Sequence, residues 1–332
     1  MRVVRLHRFG PPENLLPETL PDPEPGPGEV LIEVAAAGVH LVDTVLRQGG
    51  GGGRFPLPEL PTVPGREVAG TVVSLGPGTD PAWLGARVAA HLGTVPGGYA
   101  DRAVTAAARL HRLPDGLSSD RAVAMIGTGR TTMGVLRAAA PGPAPRDTVL
   151  VLAAAGGIGS LLVQYARHRG ATVVAAAGGP HKTAAAADLG ADLAVDYNRP
   201  GWPEEVRRKL GDRPATLLFE GVGGTLARDA AGLLAPGGRH LRYGWASVPG
   251  FDGSGDPARM TDEELRARSL TAETVLGPAI LDNLRALEEQ AMELAADGTL
   301  RPLVHHFPLD EAARAHRALE SRATVGKVVL IP

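Results

Sequence analysis

The sequence predicts an α/β protein: a doubly wound parallel sheet joined to a second, mostly-β domain. Three observations carry that expectation. The stretch TVLVLAAAGGIG (148–159) is a short apolar run that breaks at a glycine-rich turn. It passes directly into SLLVQYARHRG, where Leu161, Leu162, Tyr165 and Ala166 recur at helical spacing before Gly170. From about Leu117 to Asp262, strand-like runs alternate with helical ones, as in a doubly wound sheet. The first third instead carries short β segments separated by Pro and Gly, which suits a compact β domain. At 332 residues the chain exceeds one ordinary core, so two domains are expected.

Composition narrows the function classes. Hydrophobic residues make up 44% and the formal net charge is −2, so no basic excess points to nucleic acid. No apolar run is long enough to span a membrane, and MRVVRLHRFG lacks the apolar centre of a signal peptide. The absence of cysteine excludes disulfides, thiolate catalysis and cysteine-held zinc, and fits a cytoplasmic location.

In chain order, strands are expected in LIEVAAAGV, VAGTVVSLG and RVAAHLG, with a mobile loop at Gly49–Gly53. A helical segment from Asp120 to Ala140 precedes a PGPAP linker. Strands then fall at Val149–Ala153, Thr172–Ala176, Leu193–Asp196, Leu217–Phe219 and His240–Tyr243. Helices fall at Leu161–Arg169, Lys182–Leu189 and Pro203–Leu210. SLTAETVL supplies another strand, and Asp282–Ala296 an amphipathic helix with Leu284, Leu287, Ala291 and Leu294 on one face. The tail reads strand, helix, strand and is expected to return to the first domain.

The glycine turn is where chemistry is expected. Amides of Ala155, Gly156, Gly157, Ile158 and Gly159 would face a pyrophosphate at the helix N-terminus. The usual first glycine of that motif is Ala154. The second strand ends in AAAGGPHK, around Gly178, with no acid before Asp188. An NAD enzyme carries an acid there for the ribose hydroxyls. Its absence removes repulsion of a 2′-phosphate, and Lys182 supplies positive charge. Tyr243, Gly244 and Trp245 follow the fifth strand at the carboxyl edge where ligands of such sheets bind, though Trp245 reads equally as packing.

The chain resembles the medium-chain dehydrogenase/reductase superfamily, in its zinc-independent quinone oxidoreductase (ζ-crystallin-like) branch. GPPENL, PGPGEVLIEVAAAGV, VDTVLRQG, VPGREVAG, GGYADRAV, AAAGGIGS, HKTAAAADLGA, LAPGGR and ESRATVGKVVLIP carry the resemblance from end to end. It implies a GroES-like substrate domain of residues 1–122 and 267–332, a Rossmann NADP-binding domain of residues 123–266, and an active site in the cleft between them. Zinc-dependent relatives carry Cys after GV and His in GHE. Here those places hold His40 and Arg66 beside Glu67, which do not make a tetrahedral metal site. The resemblance assigns Lys182, Tyr197 and Arg322 to the 2′-phosphate of NADPH. It places Thr131 near the nicotinamide, where the alternative is a helix cap.

Near the implied substrate pocket, His40 replaces a common Asn and Val45 a common Tyr; Trp245 borders the same region. Asp43 is shared with the pattern and reads equally as a cap. His91, His305, His306 and His316 read as structural or surface residues, and Glu220 and Asp196 as strand ends. The expected function is an NADPH-dependent reductase of quinones or carbonyl-conjugated C=C bonds, the proton coming from solvent or from His40, which is either an acid or a spacer. The rivals are a pathway-specific enoyl reductase and a redox-inert NADPH-binding or sensing protein. A homodimer is implied by the family alone.

Overall fold

In the computed structural model, residues 1–50, 56–93, 97–211, 214–248, 256, 258–275 and 283–332 are described. The punctuated first third forms β1 (Arg2–Leu6), β2 (Leu15–Thr19), β3 (Glu29–Val39) and α1 (Leu41–Arg47). It continues as β4 (Glu67–Leu75), β5 (Arg87–His91), β6 (Arg102–Ala106) and β7 (Leu110–Arg112). In β3, Glu33 and Ala35 reach solvent between buried neighbours, whereas Ala36 to Val39 are buried throughout. Buried on both faces, that end must match any polar neighbour with a partner. Gly49 and Gly50 follow α1, but the rest of the expected glycine loop lies outside the described residues.

The helical segment expected from Asp120 to Ala140 is interrupted. It runs as α2 (Ser119–Ala124), a π-helical stretch (Met125–Gly129) and α3 (Arg130–Ala138). An apolar count cannot reveal such a widened turn, which often marks a functional position.

The alternating region then forms β8 (Thr148–Leu152), α4 (Gly157–His168), β9 (Thr172–Ala177) and α5 (Pro180–Asp188). After these come β10 (Leu193–Asp196), α6 (Trp202–Leu210), β11 (Ala215–Glu220), α7 (Gly224–Ala231), β12 (Leu234–Arg242), α8 (Asp262–Ala267) and β13 (Thr271–Thr274). The sheet order is β10-β9-β8-β11-β12-β13, every pair parallel. All five residues of β8 are buried, as a central parallel strand covered on both faces requires. β12 starts six residues before the expected His240, because Leu234 still pairs with Ala215 across a register shift.

The last segments are α9 (Leu284–Ala296), β14 (Val304–Pro308), α10 (Ala312–Glu320) and β15 (Lys327–Ile331). Asp282, the expected start of α9, is outside the described residues. β15 runs antiparallel to β3 and parallel to β14, completing a sheet ordered β14-β15-β3-β4-β5-β7 with β6 also on β3. Two units result: Met1–Thr128, Ala291–Asp297 and Pro302–Pro332 in the first, Gly129–Gln290 and Gly298–Arg301 in the second. The second unit thus extends past the expected boundary at residue 266, since Thr271–Thr274 hydrogen-bonds along β12 as the last strand of its sheet. Among the described residues, no helix is long and apolar enough to cross a membrane.

A buried polar chain ties α1 to α10 in the first unit. Arg47 Nε donates to His316 Nδ1 at 3.3 Å, and its terminal nitrogens reach Gly10 O and Glu320. Since Nδ1 accepts, Nε2 carries the proton and faces the Tyr99 hydroxyl at 3.0 Å, which itself donates to Asp43 Oδ2 at 3.2 Å. Burial pushes the His316 imidazole down from an ordinary 6.5 to about 4; Asp43 opposes the shift and Arg47 adds to it. The neutral ring's stabilising contribution is complete above pH ~6.5 and is lost as pH falls toward 4, a total of about 3 kcal/mol. A His316→Gln variant should therefore lose less thermal stability than wild type between pH 7 and pH 4. Parallel melting curves would show that His316 carries no such linkage.

Candidate functional site

In the second unit, β8 ends in a turn shaped for close approach. Ala153 sits in the left-handed region at φ 51°, and its carbonyl accepts from Gly156 N at 2.8 Å. Gly156 is the N-cap of α4, no side chain caps it, and the first turn carries no acid. A Cβ on Gly159 would overlap the Ala153 carbonyl, whereas one on Gly156 would stand 3.2 Å from the same oxygen. The cradle formed with Ala155, Gly157 and Ile158 fits a pyrophosphate, which needs bare backbone and a helix N-terminus. Gly159→Ala should destabilise the second unit by about 1–3 kcal/mol and abolish dinucleotide binding, while Gly156→Ala keeps the fold. Calorimetric titration with thermal melts tests this; equal behaviour of the two variants would refute it.

The tips of β9 and β10 lie side by side, with Ala177 paired to Asp196. Just beyond them the Tyr197 ring lies over Gly178, where an added Cβ would come to 3.0 Å of Cε2. Lys182 is the third residue of α5 and half-buried. The structure thus brings Gly178, Lys182 and Tyr197 to one end of the sheet. It adds Asp196, whose Oδ1 accepts from Gly179 N at 2.7 Å and Asn198 N at 3.0 Å. At the end of β12, Tyr243 N donates to Glu220 O at 2.8 Å and the Tyr243 ring covers Gly221. Gly244 follows against Gly221 O, and Trp245 is buried beside Gly223 and Val248. Thr131 stands in the first turn of α3, half-buried. Gly129 before it has helical torsions (φ −60°, ψ −47°), so the capping alternative for Thr131 does not hold.

In the first unit, strand register assembles a charge cluster. Val328 pairs with Val39, which sets Lys327 opposite His40; Ala37 pairs with Val68, which sets Glu67 opposite Gly38. Glu67 is wholly buried, and its carboxylate occupies space that Cβ atoms on Gly38 or Gly127 would fill. His40 Nε2 lies 2.9 Å from Glu67 Oε1, Lys327 Nζ contacts the same oxygen, and Lys327 Nζ lies 3.1 Å from His40 Nε2. Burial alone would push the Glu67 carboxyl up, yet the Lys327 ammonium and the His40 ring beside it hold it well below the carboxylate range. His40, the N-cap of α1, donates its backbone N–H to Asp43 Oδ2 at 2.8 Å, so Asp43 both closes the first turn of α1 and ends the Tyr99–His316 chain. Val45 is half-buried against Gly50.

A family model for an alcohol dehydrogenase GroES-like domain matches residues 26–115, and one for a zinc-binding dehydrogenase matches residues 189–330. The chain is 31% identical over 340 residues to a 2-haloacrylate reductase of a Burkholderia species, covering 98% of each. It is 30% identical over 336 residues to a quinone oxidoreductase of Pseudomonas aeruginosa, covering 99% of each. The chain belongs to the medium-chain dehydrogenase/reductase family, in its quinone oxidoreductase branch. Among solved structures, quinone oxidoreductase of Escherichia coli complexed with NADPH superposes with TM-score 0.83 at 27% identity, over all of both chains. An NAD-dependent alcohol dehydrogenase superposes with TM-score 0.85 at 30% identity, again over all of both. The protein is thus an oxidoreductase of GroES-like plus Rossmann architecture.

Arg322 is exposed in the first unit at φ 57°, one residue past Ser321, the C-cap of α10. Glycine is the usual residue at such a helix end. Sequence reading overlooked Lys327 and treated Glu67 as a leftover of a metal motif. A signal existed: KVVLI is an apolar strand opening on a lysine, and a cation in a buried strand needs a carboxylate.

Proposed function

We propose that the protein is an NADPH-dependent reductase that transfers hydride to a quinone or an α,β-unsaturated carbonyl compound without a metal. The observation that carries this is the glycine cradle at α4 together with Lys182 and Tyr197 beside Gly178, where the nearest carboxylate, Asp196, is taken up by the amides of Gly179 and Asn198. When bound, NADPH supplies the hydride. The chain's own residues do the rest: Ala155 to Gly159 hold the pyrophosphate, Lys182, Tyr197 and Arg322 the 2′-phosphate, and Thr131, Tyr243, Gly244 and Trp245 the nicotinamide half. Negative charge develops on the substrate oxygen as hydride adds, and His40 is the donor we assign to it, with Val45 beside it in the pocket. Relatives named for quinone and 2-haloacrylate reduction support both halves of that substrate class.

The donor set supports a metal-free reaction. Where zinc-dependent relatives carry ligands, an ammonium already occupies the carboxylate of Glu67, and Arg66 faces Asp43 at 3.8 Å. Among the described residues, no group of three His, Asp or Glu side chains is placed to hold a metal. Activity should survive exhaustive chelation, and elemental analysis should find no stoichiometric zinc; one zinc per chain with activity lost on its removal would overturn this. NADPH oxidation against quinones, enones, haloacrylates and enoyl thioesters tests the reading as a whole. Turnover of thioesters alone would make it an enoyl reductase, and binding without turnover a redox-inert module. The protein is further expected to be a cytoplasmic homodimer acting on small molecules.

A further inference from the structure

We infer that Lys327 is the positioning residue that fixes the proton of His40 on Nδ1, making His40 a neutral hydrogen-bond donor and not an imidazolium acid. The inference rests on the reductase reading only for what the Nδ1 proton is used for. Its grounds are geometric. An ammonium has three protons to give and nothing with which to accept. At 3.1 Å from His40 Nε2, Lys327 Nζ therefore needs a lone pair on that nitrogen. The same ammonium contacts Glu67 Oε1, so one cation bridges carboxylate and imidazole. Glu67 Oε1 also lies 2.9 Å from Nε2, which taken alone would favour a proton there.

Burial decides between the two. Glu67 and Lys327 are 0% and 4% exposed and already sum to zero charge, whereas the His40 side chain is 25% exposed. An imidazolium would set a second cation against the first with a single buried carboxylate to share, and a neutral ring protonated on Nε2 would turn that N–H toward the ammonium and forfeit the Lys327 hydrogen bond. The remaining charged neighbours do not alter this balance. Asp43 of α1 is engaged by the His40 amide, by Tyr99 and by Arg66, and from the π-helical stretch Gly127, which is uncharged, stands close to the ring, a Cβ on it coming to 2.8 Å of His40 Cε1. With Nε2 accepting, the sole proton of the neutral ring is on Nδ1. That group can stabilise a developing oxyanion by hydrogen bonding, and the proton that completes the reduction then comes from water.

The test reads the tautomer directly, on the full-length protein labelled with 15N-histidine. His40 signals in long-range proton–nitrogen spectra are identified by their loss in His40→Asn. At pH 7 we expect one protonated and one bare nitrogen, in the Nδ1–H pattern. Lys327→Met should leave Glu67 facing the ring alone and convert His40 to imidazolium at the same pH. The Glu67→Gln/Lys327→Met pair removes both charges and should return a neutral ring, which keeps the test decisive if the single variant does not fold. An imidazolium or an Nε2–H ring in wild type, or a charged ring in the double variant, overturns the inference. In turnover, the wild-type rate should be flat between pH 6.5 and 8.5, and Lys327→Met should acquire an alkaline fall. Because the spectra need no substrate, failure of the reductase reading leaves this result readable on its own.

Discussion

Replacing Glu67 by alanine is expected to destabilise the first unit by about 3–5 kcal/mol, among the largest effects of any single substitution here. The cost is not a lost contact. It is the ammonium of Lys327, 4% exposed, left in the sheet with no counter-charge. Among the described residues neither Glu67 carboxylate oxygen has a well-aligned hydrogen bond, and Oε1 is held by ion pairing. Such a pair contributes little against an apolar substitute of equal shape while being costly to break on one side. The Glu67→Gln/Lys327→Met variant should therefore recover most of the stability that either Glu67→Ala or Lys327→Met loses. Chemical denaturation followed by fluorescence, analysed as a double-mutant cycle, measures this coupling. Additive losses would show that Glu67 and Lys327 do not balance each other.

This cluster also marks where sequence reading stops. The strand-turn-helix at β8 and α4 was legible because all its determinants are local: five apolar residues, a glycine turn, then helical spacing. The strand-end chemistry of Gly178 and Lys182 was legible for the same reason. His40, Glu67 and Lys327 lie in three distant segments, and only the registers of β15 on β3 and β3 on β4 bring them together. No local pattern encodes a register between strands separated by nearly the whole chain. The π-helical stretch was hidden for a different reason. Met125–Gly129 lies inside a longer run whose apolar spacing reads as one helix, and Gly127 stands against Glu67 and His40, a tertiary demand that periodicity does not record. Asp196 shows the reverse case: read as a strand end, it is one, and its carboxylate is spent on two backbone amides.

Asp196 bears on the remaining large prediction, that the protein prefers NADPH to NADH and that Lys182 carries much of the preference. A carboxylate near the tip of β9 would oppose a 2′-phosphate, but Asp196 gives Oδ1 to Gly179 and Asn198, which disperses its charge into the turn. Lys182 in the first turn of α5 supplies the opposing charge, with Tyr197 over Gly178 closing the same end. A charge-assisted hydrogen bond is worth about 1.5–3 kcal/mol, so Lys182→Ala should weaken NADPH by about ten- to hundredfold. NADH, lacking the phosphate, should be little affected. Arg322 allows a sharper separation, because it stands where the backbone favours glycine. A non-glycine residue held in the left-handed region costs about 1–2 kcal/mol. Arg322→Gly should then leave the melting temperature unchanged or raised while weakening NADPH as Lys182→Ala does. Calorimetric titration of both cofactors, with thermal melts on the same samples, distinguishes the outcomes. If Arg322→Gly binds NADPH as wild type does, the arginine is not there for the phosphate; if Lys182→Ala weakens both cofactors alike, the lysine does not read the 2′-position.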